Sequence, residues 1–246
     1  AAYASNLYWG KGGASANPDN LWTTAANWYT DAGETTVSAS VPLATDDVFF
    51  NTTPDNALGG TISVTGNITA NSLTFNTSVA TTLSQGSSTR TFTLGGGGIT
   101  VNSGAGNATL GTSTASLLVE ASASQTWTNN ATTTLNSRRL GASNTATGPV
   151  TVTLNAASTG TISFSLAVTD SPDTTKKLAL VIDSAGTGNV SMVTSTFTGG
   201  LFVKRGLLSS SGNMGGGSVL LGDTSGSNDA RIHLTGIATN NITVQA

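Results

Sequence analysis

Few side chains in this sequence are equipped for chemistry. His233 is the single histidine, Cys is absent, and twelve Asp and Glu stand against nine Lys and Arg. A Ser-His-Asp triad would have to run through His233, in Arg231-Ile-His-Leu, and no nucleophile-elbow pattern accompanies it. Without Cys there is no thiol nucleophile, and one His with carboxylates makes a poor zinc shell. Glycoside hydrolysis needs two carboxyls about 5–10 Å apart across a cleft. The candidates Asp46, Asp47, Asp170, Asp173, Asp183, Asp223 and Asp229 stand mostly among Gly, Ser, Thr and Pro, the setting of turn acids that bond their own backbone. A lyase acting on uronic acids also needs clustered cations, and Arg138-Arg139 and Lys176-Lys177 are isolated pairs. Asp223, Ser225, Ser227 and Asp229 alternate around Gly226, an all-oxygen set that suits Ca²⁺ but lacks the bidentate Glu of an EF-hand. No other cofactor is expected. Gly95-Gly-Gly-Gly98 and Gly215-Gly-Gly217 are not followed by Lys-Ser/Thr and a helix, so they read as tight corners rather than phosphate loops.

The elements that would hold these residues are strands. Of 246 residues, 44 are Thr and 30 Ser, while only 9% are charged. Thr favours a pleated, half-buried surface, and the long-chain helix formers are scarce. A net charge of −3 gives no attraction for phosphate backbones, so a nucleic-acid partner is not expected. No apolar run approaches the length of a membrane span. The chain opens on the small residues Ala1-Ala2-Tyr3-Ala4-Ser5, which is what signal-peptide cleavage leaves, and secretion is the expected localisation.

After residue 60 the chain settles into short apolar pulses such as Thr61-Ile-Ser-Val, Thr91-Phe-Thr-Leu, Val150-Thr-Val-Thr-Leu and Leu178-Ala-Leu-Val-Ile. They alternate apolar with Thr or Ser and return about every 8–12 residues, the period-two pattern of many short strands. The predicted fold is all-β, a parallel β-helix over 61–246, with 1–60 as an aromatic-rich cap or docking region. A β-sandwich is the alternative, though it would bury bulkier aromatics. Coils of about 20–30 residues would give about six to nine turns and a rod about 30–45 Å long. Alternation places His233 opposite Ile232 and Leu234, on the solvent face.

Family-like motifs lie on the same residues. Trp22-Thr-Thr-Ala-Ala-Asn27-Trp28 and Pro42-Leu-Ala-Thr-Asp46-Asp47-Val-Phe-Phe resemble the start of bacterial surface proteins built from autotransporter-associated β-strand repeats. Gly200-Leu-Phe-Val-Lys204-Arg-Gly206-Leu-Leu is similar to that repeat's Gly-Leu-x-Lys-x-Gly-x-Gly-x-Leu segment, short of one Gly-x unit. The stretches Gly215–Ala230 and Asn241–Ala246 resemble it too. The resemblance implies a right-handed parallel β-helix, secreted or displayed on a bacterial surface. With so few side chains placed for chemistry, the expected function is not enzymatic: a stalk, an adhesin passenger or a head-to-tail filament subunit. Members are typically much longer, so this chain is expected to be one piece of a larger passenger or a unit completed by a neighbour. The alternative is a β-helix that binds or cleaves an acidic polysaccharide.

The aromatic N-terminal region keeps three readings open. Trp9, Trp22 and Trp28, with Tyr8, Phe49 and Phe50, would cap the β-helix, stack on surface carbohydrate, or dock on the next subunit. The third reading pairs them with Ile242 and Val244, because a solenoid with an open end leaves unpaired backbone that invites another chain.

Overall fold

The strands bury every second side chain, as the Thr alternation requires. Val150–Ala156 hides Val150, Val152, Leu154 and Ala156 and leaves Thr151, Thr153 and Asn155 half-exposed. The computed structural model describes residues 4–10, 19–51, 60–112, 116–224 and 229–245. Within these lie twenty strands and one 3-10 turn, Ala25–Asn27. The strands stack in parallel coils, a β-solenoid, which excludes the sandwich alternative.

Each coil visits three faces. The first face begins with Asn6–Trp9 and Asp47–Phe50 and ends with Val219–Leu221 and Ile242–Val244. Between them the register carries Val48 onto Leu73, Ile99, Trp127, Leu154, Ile182, Val203, Leu221 and finally Val244. The second face runs from Gly60–Ser63 to Ala230–Leu234 and stacks Ala108, Leu135, Ile162, Val190, Leu208 and Ile232. The third face is shortest: the first halves of Ile68–Phe75 and Arg90–Val101, then Leu117–Ala121 and Arg139–Ala142, continued by single bridges at Thr169 and Met214. Along the first face the step from Leu7 to Val48 takes 41 residues, and from Val48 onward the repeat varies from 28, Leu154 to Ile182, down to 18, Val203 to Leu221. The inward side chains of all three faces form one core.

Corners need residues without a side chain. In Arg90–Val101 the chain turns from the third face to the first without leaving the strand, at Gly95–Gly98. Gly98 holds φ +68°, and a Cβ there would stand 2.1 Å from the Thr126 carbonyl oxygen of the next coil. The left-handed backbone and the close approach between coils both demand glycine. Outside, hydroxyl ladders replace charge: Thr74, Thr100 and Thr128 stack across successive coils. Asn102 donates to Asn76, and Asn76 to Asn51, one coil apart at each step.

The aromatic N-terminal segment is not separate from the solenoid. Asn6–Trp9 and Asp47–Phe50 are already first-face strands, and Leu21 bridges Ser63 on the second face. What distinguishes this end is a reversal. Trp28–Tyr29 pairs antiparallel with Asn6–Trp9, and Val37 pairs antiparallel with Tyr29.

Candidate functional site

The acids expected to offer chemistry are mostly spent on holding loops. Asp46 is buried and accepts from the Ser5 N–H at 3.0 Å and the Leu43 N–H at 2.8 Å. Asp47 accepts from Asn71 and Ser72 of the next coil. Asp170 takes the Leu178 N–H at 2.7 Å and both the N–H and hydroxyl of Thr198. Asp183 is bound by the Arg205 guanidinium at 2.7 Å. Asp173 accepts from the Thr175 N–H, which holds its carboxyl below the usual range. Asp19 is likewise lowered, chiefly by the Thr24 hydroxyl at 2.6 Å, and Asp31 chiefly by the Thr35 N–H. Glu120 goes the other way: burial on the third face pushes its carboxyl up, partly offset by a hydrogen bond with Ser143. Each carboxylate serves a turn or a rung between coils.

The four Ca²⁺ candidates do not come together as a described site. Asp223 is half-buried, with its Oδ2 3.4 Å from the Lys204 Nζ. Asp229 is exposed and its carbonyl accepts from the Gly206 N–H. Ser225 and Ser227 lie outside the described residues. Among the described residues no group of three His, Cys, Asp or Glu is placed to hold a metal. His233 is exposed on Ala230–Leu234, over Ser209.

Comparison with family models, with curated proteins and with solved structures returns no match. Aromatic packing and exposed apolar side chains concentrate in the first and last described coils.

At the N-terminal end the indoles of Trp9, Trp22 and Trp28 fill the coil interior, at 4%, 1% and 0% exposure. Trp28 meets both others edge to face, at 5.0 and 4.7 Å between centroids, and Trp22 tilts against Phe92 of the third face. Such contacts exploit the positive ring edge against the negative face. The buried Trp28 Nε1–H donates to the Trp22 carbonyl at 2.8 Å, so the plug leaves that polar group satisfied. Phe50 points inward and stacks on Phe75. Tyr8 and Phe49 occupy the alternate positions and stack on each other half-buried on the outer side of the first face, 5.0 Å apart. The period-two rule applied to Asp47-Val-Phe-Phe separates Phe49 from Phe50, a signal that grouping the aromatics by composition passes over.

At the C-terminal end the same ladders reach solvent. Val244 continues the Val48–Val203 ladder yet is 69% exposed, and Ile242, over Val219, is 38% exposed. Leu234 and Ile237 are exposed beside them. Among the described residues the other exposed large apolar side chains are Val37 and Leu43, both at the N-terminal end. Sequence reasoning missed these two, because they sit in the irregular segment between Tyr29 and Asp47 where no periodicity operates.

Among the described residues no helix is long and apolar enough to cross a membrane.

Proposed function

We propose that this chain is a structural element, a secreted or surface-displayed β-solenoid whose role is to extend a rod rather than to catalyse. The observation that carries this reading is the unbroken parallel ladder of the first face, Val48 to Val244, over one continuous core. Its exterior carries hydroxyl and amide ladders, Thr74 over Thr100 over Thr128 and Asn51 to Asn76 to Asn102, in place of a lined catalytic cleft. A solenoid coil buries its inner face only against neighbours, so each coil added to the stack lengthens the rod and its core together. The resemblance of Gly200–Leu208 and Gly215–Ala230 to autotransporter-associated repeats supports the same class, and with it a place outside a bacterial cell as stalk, adhesin passenger or filament subunit. The mechanism is mechanical: parallel backbone hydrogen bonds join every coil to the next, and hydroxyl ladders keep the exterior wet with little charge.

The carbohydrate-acting alternative needs carboxylates left free across a cleft, and Asp46, Asp47, Asp170 and Asp183 are committed to backbone, side-chain or guanidinium partners. The test is incubation of the chain with a panel of acidic polysaccharides, following new reducing ends and unsaturated products, beside immunogold labelling of the cells that make it. Label outside the cell with no product is the expected result. Product release would overturn the structural reading in favour of the alternative.

A further inference from the structure

The outer side of the first face changes character part-way along the rod. Thr126 and Thr153 stack as one outward column, and the same column continues through Val181, Phe202 and Leu220. These three are half-buried on the outside, while Leu180, Ile182, Leu201, Val203 and Val219 take the inward positions. Large apolar side chains there add nothing to the core. Beside them runs a column of small residues, Thr151, Ala179, Gly200 and Ser218, one from each successive coil. The two columns border a furrow. Its first part, about 380 Å³, lies between Gly96-Gly97 and Thr153, and its second, about 140 Å³, lies among Ala179, Gly200, Val181, Phe202 and Leu220. They meet at Thr151, which lines both. From Thr126 to Leu220 the furrow crosses five coils, about 19 Å at the spacing of neighbouring strands.

We propose that this furrow binds an uncharged glycan chain, with one sugar ring laid on Phe202 and its hydroxyls bonded to those of Thr151 and Thr153. The inference deepens the structural reading above, on which it rests, by giving the displayed rod a ligand. Three observations choose this occupant. First, no charged side chain lines the furrow. The charged groups two residues further along the same strands are paired with one another, Asp183 with Arg205 and Lys204 with Asp223. An acidic polysaccharide would lose water from its carboxylates here and find no free cation in return. Second, the lining strands are hydrogen-bonded to a coil on either side. An extended peptide therefore finds no open strand edge to join. Third, among the described residues the hydroxyls of Thr126, Thr151, Thr153 and Ser218 have no protein partner. A hydroxyl both donates and accepts, so a row of them matches the hydroxyls of a sugar in either sense. Phe202 supplies the remaining part, a ring whose negative face suits the C–H face of a pyranose.

The test is affinity electrophoresis of the 246-residue chain in gels containing dextran, soluble starch, laminarin, mannan or galactan, with polygalacturonate as the charged comparison. At least one neutral glycan is expected to retard the chain, and polygalacturonate to leave it unretarded. Phe202→Ala should weaken the retarding interaction about tenfold. Thr153→Val, which keeps the shape and removes the hydroxyl, should weaken it about three- to tenfold. Ala179→Arg fills the floor from an outward, half-buried position and should abolish it, while Thr74→Val, on the same face outside the furrow, should change nothing. Far-UV circular dichroism checks that each variant folds. Overturning results are no retardation by any neutral glycan, equal retardation by polygalacturonate, or retardation indifferent to both Phe202→Ala and Ala179→Arg. Absence of retardation without product release removes the furrow and leaves the structural reading standing. Retardation accompanied by new reducing ends keeps the furrow and removes the non-catalytic reading instead.

Discussion

The first and last described coils of this solenoid bury their apolar side chains to very different degrees. A stack of coils has two terminal layers, each with a half-covered core and a row of unpaired peptide groups. At the N-terminal end the chain reverses, lays Trp28–Tyr29 across the outer edge of Asn6–Trp9, and packs three indoles into the opening. In the last described coil Ala230–Leu234 and Ile242–Val244 continue the parallel registers without a reversal, each paired on one side among the described residues, and Leu234, Ile242 and Val244 are exposed. The difference teaches that burial here is a property of position in the stack, not of residue type. Val203 and Val244 stand on one ladder, two steps apart, and the first is fully buried while the second is 69% exposed.

The sharpest way to break the comparison is to empty the closed end. Trp28→Ala removes a fully buried ring and its hydrogen bond to Trp22, and is expected to cost about 3–5 kcal/mol in denaturant unfolding. A paired test along the ladder comes next. Ile182→Ala, at a position with no exposure, should cost about 2–5 kcal/mol. Val244→Ala, on the same ladder, should stay within about 0.5 kcal/mol in the dilute chain. Equal costs at the two positions would mean that the C-terminal coil is covered after all. A smaller effect is expected from Asp46→Ala, which frees the Ser5 and Leu43 N–H groups that tie the first strand to its loop, at about 1–3 kcal/mol.

The smallest effect is that of pH. Asp19 and Asp31 have folded-state carboxyls below their ordinary value, so their contribution is present above the unfolded value of about 4 and is lost as pH falls through the lower folded one. Acidification below about pH 4 should therefore loosen residues 19–36 before the body of the rod, by amide exchange, and Asp19→Asn with Asp31→Asn should remove the difference. No comparable loosening is expected at Ile242–Val244.

How far the sequence announced this arrangement depends on the region. The solenoid was legible because Thr and Ser alternate with apolar residues over most of the chain, and a period of two with short returns leaves few architectures. The register was not legible. One Thr-Val pulse resembles another, so nothing in the sequence says that Leu154 lies over Trp127, or that the repeat shortens toward Val203 and Leu221. The corners were legible: Gly95–Gly98 reads as a tight corner and the chain does change face there, within one continuous strand. At the N-terminal end composition singled out the aromatics but not their directions, which follow from alternation for Phe49 and Phe50 and from tertiary packing for Trp22 and Trp28. The exposed edge at Val37 left no trace, because the two reversals that create it are set by hydrogen bonds among Trp28, Thr30, Thr36 and Ser38 rather than by any pattern.

The central claim, that burial follows position in the stack, is tested most directly by residue-resolved hydrogen exchange. The chain would be held dilute enough to remain single. The account predicts that amides of Asn6–Trp9, Trp28–Tyr29 and Asp47–Phe50 exchange as slowly as those of Val150–Ala156, while Ile242–Val244 and Ala230–Leu234 exchange first and independently of the rest. Protection at Ile242–Val244 equal to that of the middle coils, or first opening at the tryptophan-filled end, would contradict it.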